Sequence, residues 1–165
     1  MNKKLLLRII STLLIIAFAL TAGGGGVCWK MIRVDAGTTI RSMTNSSLKL
    51  DGIVPSVTYG SDHLYYATHV GGVFVTSTVD SNWGAGMFAS LAIDASNGYP
   101  RISYYDITKD EMKYASYTEV LGLPFWSTTY VHNGDSLNRG GGSSAIALDN
   151  TSAHLPHIVF RNTAG

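Results

Sequence analysis

The chain has 165 residues, of which only 14% are charged, with 18 glycines and nine tyrosines; that size suits one domain, and Gly turns mixed with Tyr, Thr and Val suit short strands better than long helices. The formal net charge is +1, but Lys3, Lys4 and Arg8 supply three of the twelve positive charges, and the nine that follow face eleven acids, a net of −2. Without a basic surface the composition argues against nucleic acid as a partner, and a single cysteine, Cys28, excludes a disulfide framework within the chain.

The N-terminus has a short basic start, an apolar run from Ile9 to Ala22 interrupted by Ser11, Thr12 and Thr21, and then four glycines. This is the layout of a secretory signal peptide, with small Ala22 at the exit position. Residues 1–22 are expected to export the chain to the cell envelope or beyond. The run is shorter than the ~20 residues a spanning helix needs. An uncleaved membrane anchor is therefore the second reading, and a lipoprotein at Cys28 the third. Gly25-Gly26-Val27-Cys28 departs from the lipoprotein pattern at its first and last places. Residues 23–46 read as a Gly-rich linker with the tail of an earlier repeat.

From residue 47 the chain repeats itself. Ser47-Leu48-Lys49-Leu50-Asp51 is matched by Ser90-Leu91-Ala92-Ile93-Asp94 and by Ala145-Ile146-Ala147-Leu148-Asp149, with the aspartates 43 and then 55 residues apart. A proline follows each aspartate (Pro55, Pro100, Pro156) and opens a strand-like run, where its missing N–H does least harm. In the second copy Leu91 and Ile93 fall on one face of an extended chain and Ala92 on the other. Asn97-Gly98 provides a turn. Ile102 and Tyr104 share a face, and Ser103 and Tyr105 take the opposite one. A polar hairpin from Thr108 to Glu111 leads into Met112-Lys113-Tyr114-Ala115, and Phe125 to Val131 supplies a fourth strand. Four short strands in ~45 residues is the size of one propeller blade. Such a sheet has two faces to cover and does so by stacking on its neighbours.

The stretch from Ser90 to Ser116 resembles a repeat common in secreted bacterial proteins. Its form is Ser-Leu-Ala-Leu-Asp, a Gly turn, Pro-His-Ile-Ser-Tyr-Tyr-Asp, then Leu-Lys-Tyr-Ala. The resemblance implies a β-propeller-like domain of the broad sialidase-like or lectin-like group and covers roughly Lys49 to the end. The second copy has Arg101 in the His place and Met112 in the Leu place. The first has a shorter turn after Asp51, and the third replaces Ser-Tyr-Tyr-Asp with Val159-Phe160-Arg161-Asn162. The expected architecture is all-β, a partial β-propeller of about two to three four-stranded antiparallel blades, where a closed ring has about four to eight. Because Gly165 aligns with Lys109, inside a hairpin, the chain is expected to be a fragment of a longer protein, with closure by homo-oligomerisation as the alternative.

The candidate chemistry is sparse. Asp51, Asp94 and Asp149 recur at strand ends, where a turn-forming role outweighs a Ca²⁺ ring because no copy supplies the oxygen cluster Ca²⁺ requires. Asp106, Asp110 and Glu111 surround a hairpin without the spacing of a calcium loop. His154 and His157 would face opposite sides of a strand, and no Cys joins them. Gly140 to Ser144 lacks both a nucleophile elbow and a phosphate-loop lysine. Sialidases need an arginine triad, a Tyr with a Glu partner and an acidic acid/base; here Arg161 only faintly resembles the sialidase Phe-Arg-Ile-Pro and sits at the wrong end, and the Asp-box is absent. Trp83 and Trp126 lie near blade edges, where packing between blades competes with stacking on a sugar. The expectation is an exported, non-catalytic binding or scaffold module at the cell surface, meeting glycans or proteins through tips such as Asp106 to Glu111 and Asn133 to Gly142. Trp83, Trp126 and Asp106 are the candidate ligand contacts. The alternative is a piece of a carbohydrate-active, sialidase-like enzyme.

Overall fold

The computed structural model describes residues 15–22, 26–34, 46–60, 62–133 and 140–162. They form twelve strands: β1 (Ile15–Ala22), β2 (Gly26–Arg33), β3 (Ser47–Asp51), β4 (Val54–Gly60), β5 (Leu64–Val70), β6 (Val73–Asp80), β7 (Ala85–Ile93), β8 (Pro100–Asp106), β9 (Glu111–Val120), β10 (Leu123–Asn133), β11 (Gly140–Leu148) and β12 (Pro156–Asn162). Among the described residues there is no helix.

The strands make two four-stranded antiparallel meanders, β3-β4-β5-β6 and β7-β8-β9-β10, and two hairpins, β1-β2 and β11-β12. Each Ser/Ala-Leu/Ile-x-Leu/Ile segment lies in the first strand of its sheet, at the start of β3 but five residues into β7 and β11. Pro100 and Pro156 open β8 and β12, and Pro55 stands second in β4. The β1-β2 hairpin pairs Ile15–Ala22 with Gly26–Arg33 and so runs across the expected leader boundary at residue 22. Residues 1–14 of that leader lie outside the described set.

Alternation along the strands explains how the sheets stack. In the first sheet Leu64 and Tyr66 face one way, and Val57, Tyr59 and Ala67 the other. The latter pack with Val34, just beyond β2, and with Tyr65 and Phe74. The former meet the second sheet in the main core, made of Leu64, Val79, Ala85, Ala89, Leu91, Ile102, Tyr104 and Ala115. The opposite face of the second sheet, with Ser103, Tyr105 and Met112 all buried, is covered by β11. The second strands β4 and β8 are thus buried over most of both faces, whereas the outer strands β6 and β10 are largely exposed.

The joints between sheets repeat as well. The Leu91 N–H donates to Ser47 Oγ at 3.1 Å, and the Ile146 N–H donates to Ser90 Oγ at 3.3 Å. Ser47 and Ser90 are equivalent positions of the repeat, as are Leu91 and Ile146. Each serine therefore satisfies a first-strand N–H of the following sheet. In the third copy this serine is replaced by Ala145. Ser144 adds its own link, donating to the Phe88 carbonyl at 2.7 Å and lying 2.9 Å from Ser103 Oγ.

A charged clasp also joins the first two sheets. Lys113 Nζ and the Tyr104 hydroxyl both donate to Asp80 Oδ2 at 2.6 Å, and Lys113 lies 4.0 Å from Asp106 Oδ2. All four residues are buried. Burial works against charge on Asp80, but hydrogen bonds from Lys113, Tyr104 and the Asn82 N–H outweigh it and hold the carboxyl below its usual range. Burial and the bond to Asp80 push the Tyr104 phenol far up.

Candidate functional site: an aromatic groove between two sheets

Short repeats leave little room for long loops, so concavities arise where stacked sheets diverge. Between the first and second sheets lies a groove of about 540 Å³. Its walls carry four aromatic rings from four separate pieces of the repeat: Tyr66 on β5, Tyr99 before β8, Tyr117 on β9 and Trp126 on β10. The rings meet edge to face. Tyr66 and Trp126 are 5.5 Å apart at 64°, Tyr117 and Trp126 5.3 Å at 69°, and Tyr99 and Tyr117 5.2 Å at 77°. Edge-to-face packing suits the ring quadrupoles and holds each ring against its neighbour. All four are partly exposed.

Polar groups are placed around this wall. The Tyr66 hydroxyl donates to Ser56 Oγ at 2.9 Å, and Ser56 Oγ donates to Thr68 Oγ1 at the same distance, which fixes the ring from behind. The Tyr117 hydroxyl donates to Glu119 Oε1 at 3.2 Å. Among the described residues, Glu119 and Asp51 are the two carboxylates lining the groove, and no Lys, Arg or His lines it. Burial raises the Tyr66 phenol; its hydrogen bonds with Ser56 and Thr68 oppose this, and the Asp51 charge adds to it. Tyr117 is raised by burial and then by Glu119.

Asp51 reaches the groove because its turn is short. Asp94 and Asp149 are engaged by their own longer turns. Asp94 Oδ1 accepts from the Ser96 N–H and hydroxyl at 3.0 and 2.6 Å. Asp149 Oδ1 accepts from the Thr151 N–H and hydroxyl and from the Leu155 N–H. Both carboxyls lie below their usual range. At Asp94 burial opposes the lowering and Ser96 overcomes it, and at Asp149 the Thr151 hydroxyl leads. Only Gly52 and Ile53 separate Asp51 from Val54, and its carboxylate extends instead to the second copy's turn. A Cβ built on Gly98 would lie 3.0 Å from Asp51 Oδ2. Gly98 also has φ +73°, a conformation that favours glycine.

The three residues singled out from sequence fall in three different places. Trp126 is in the groove and packs on the main core. Trp83 is 53% exposed between β6 and β7, 6.0 Å from the His63 ring, and is not part of the groove. Asp106 is fully buried at the end of β8 rather than on the hairpin tip. Its Oδ1 accepts from the N–H groups of Thr108 and Lys109 and from the Thr108 hydroxyl. Residues 134–139 of the second expected contact tip lie outside the described set. Among the described residues, no group of three or more His, Cys, Asp or Glu could hold a metal ion, and no helix is long and apolar enough to cross a membrane.

No family model, no curated protein and no solved structure matches the chain.

Proposed function

We propose that this chain is an exported, non-catalytic β-propeller-type module that binds a saccharide at the cell surface through the groove between its first two sheets. The observation that carries the reading is the wall of four partly exposed aromatic rings with hydroxyl and carboxylate groups at its margin. Sugars offer apolar C–H faces for stacking and hydroxyls for hydrogen bonding, and a site of this composition serves both. The propeller assignment is supported by sheets stacking in series, each tied to the next by an equivalent serine-to-amide bond. Export is supported by the basic and apolar start of the chain.

The test is a glycan array on the full chain, followed by titration of retained glycans against variants. Tyr99→Ala and Trp126→Ala should abolish retention while the far-ultraviolet spectrum keeps its strand signature. Trp83→Ala should leave retention unchanged. Retention that survives Tyr99→Ala and Trp126→Ala alike would rule the groove out, and an array with no retained glycan would sink the saccharide reading.

A second reading, a piece of a carbohydrate-active enzyme, draws support from Asp51 and Glu119 lining one groove, since glycoside cleavage commonly uses a carboxyl pair. Release of reducing ends from a retained glycan, lost in Glu119→Gln, would favour it.

A further inference from the structure

Aromatic rings present negative faces to whatever lies over them. In this groove the two formal charges on the walls are also negative, Asp51 entering from the first sheet and Glu119 from the second. Arg101, next to groove-lining Pro100, is engaged by other partners: it donates to the Tyr117 carbonyl at 2.7 Å and lies 3.4 Å from Asp94 Oδ2, while Lys49, two residues before Asp51 on β3, does not line the groove. Burial is the main cause that raises the Tyr66 and Tyr117 phenols, and the charges of Asp51 and Glu119 add to it in the same direction. A ligand bearing a carboxylate or phosphate would meet repulsion from both walls. One bearing an ammonium group would meet ring faces and carboxylates together, the chemistry by which aromatic cages hold organic cations. The volume of about 540 Å³ falls within the range of sites for whole small molecules, so the ammonium is carried on a larger ring-bearing body.

We infer that the groove selects a saccharide carrying a protonated amine, of the 2-amino-2-deoxyhexose class, and discriminates against acidic sugars. This rests on the saccharide reading above and adds the charge of the ligand to it.

The experiment is calorimetric titration of the full chain at about pH 6, where a sugar amine keeps its proton, with four probes: a glucosamine tetramer, an N-acetylglucosamine tetramer, a sialylated trisaccharide and choline. The glucosamine tetramer should bind more tightly than its N-acetylated counterpart by roughly five- to tenfold, from one or two partly solvated carboxylate contacts. High salt should erase most of the difference. Glu119→Gln and Asp51→Asn should each lower affinity for the amine form by about threefold more than they lower affinity for the N-acetylated form. Equal affinity for the two tetramers would overturn the charge inference and leave the saccharide reading standing. Choline binding with neither tetramer bound would do the reverse. Preference for the sialylated probe would overturn the charge inference, and no binding to any probe would overturn both.

Discussion

Replacing Lys113 by Met removes the one cation of the buried clasp while keeping the length of the side chain. Asp80, with its side chain 4% exposed, would then keep the Tyr104 hydroxyl and its bonds from Asn82, and Asp106 Oδ2 would lose the cation beside it. Breaking a buried pair from one side costs about 3–5 kcal/mol, because the surviving charge stays buried without its partner. Urea titration of the full chain should show that loss. Asp80→Asn combined with Lys113→Met should recover much of it, since removing both charges of a buried pair is often close to neutral. The pH dependence provides a second readout. In the parent chain the folded Asp80 pKa is depressed, so its contribution is present above the unfolded value of about 4 and lost as pH falls through the folded one. In Lys113→Met the cation and its hydrogen bond are gone while the bonds from Tyr104 and Asn82 remain, so the folded pKa rises toward the unfolded value and the loss of stability on acidification below about pH 4 should shrink. A cost under about 1 kcal/mol, or a double variant no better than the single, would refute the claim that this ion pair is a buried link between the sheets.

Three other variants address separate links. Ser90→Ala leaves the Ile146 N–H without its 3.3 Å acceptor; a loss of about 1 kcal/mol and faster amide exchange at Ile146 should follow, and unchanged exchange would show that the serine joint is dispensable. Leu121 is 98% exposed and held at φ +54° at the head of the β9-β10 turn, a region that costs a branched side chain roughly 1–2 kcal/mol. Leu121→Gly should therefore stabilise the chain by about 0.5–1 kcal/mol after the extra freedom of the unfolded glycine is deducted; a lowered melting point would contradict that accounting. Gly98→Ala meets both an unfavourable φ and the Asp51 carboxylate at 3.0 Å; it should cost about 1 kcal/mol and weaken glycan retention by displacing Asp51, as read from urea midpoints and array signal together.

The strands and their antiparallel four-stranded sheets were legible because their cues are local. Pro100 beginning a run, Leu91 and Ile93 alternating with Ala92, and Asn97-Gly98 between them are enough to draw two strands and a turn. The matching segments near residues 47 and 145 extend the drawing to three copies. The groove was less legible because its walls come from separate copies: Tyr66 belongs to the first and Trp126 to the second, and only the stacking of one sheet on the next brings them within 5.5 Å. Trp126 could be picked out by residue type, whereas the three tyrosines look like any other strand tyrosine. Asp106 was misleading for a different reason. It stands beside charged hairpin residues, but Asp106-Ile107-Thr108 has the same form as Asp94-Ala95-Ser96 and Asp149-Asn150-Thr151, and in each the carboxylate caps its own turn. Lys113 had a readable cue. In Met112-Lys113-Tyr114-Ala115 it alternates with residues of the other face and stands opposite Tyr104. Its partner Asp80, 33 residues earlier, had none.

The two seams of this stack are unequal in strength. The one between the first and second sheets combines the larger apolar core with the Asp80–Lys113 pair, while the one between the second sheet and β11-β12 has buried Ile146, a few hydroxyl links, the stacked His132 and Phe160 rings and the His154–Asp94 contact. Under load or mild denaturant the β11-β12 hairpin should peel away first, leaving the first two sheets clamped together. Because the residues lining the aromatic groove belong to those two sheets and the turns that join their strands, the groove should outlast the earliest stage of unravelling.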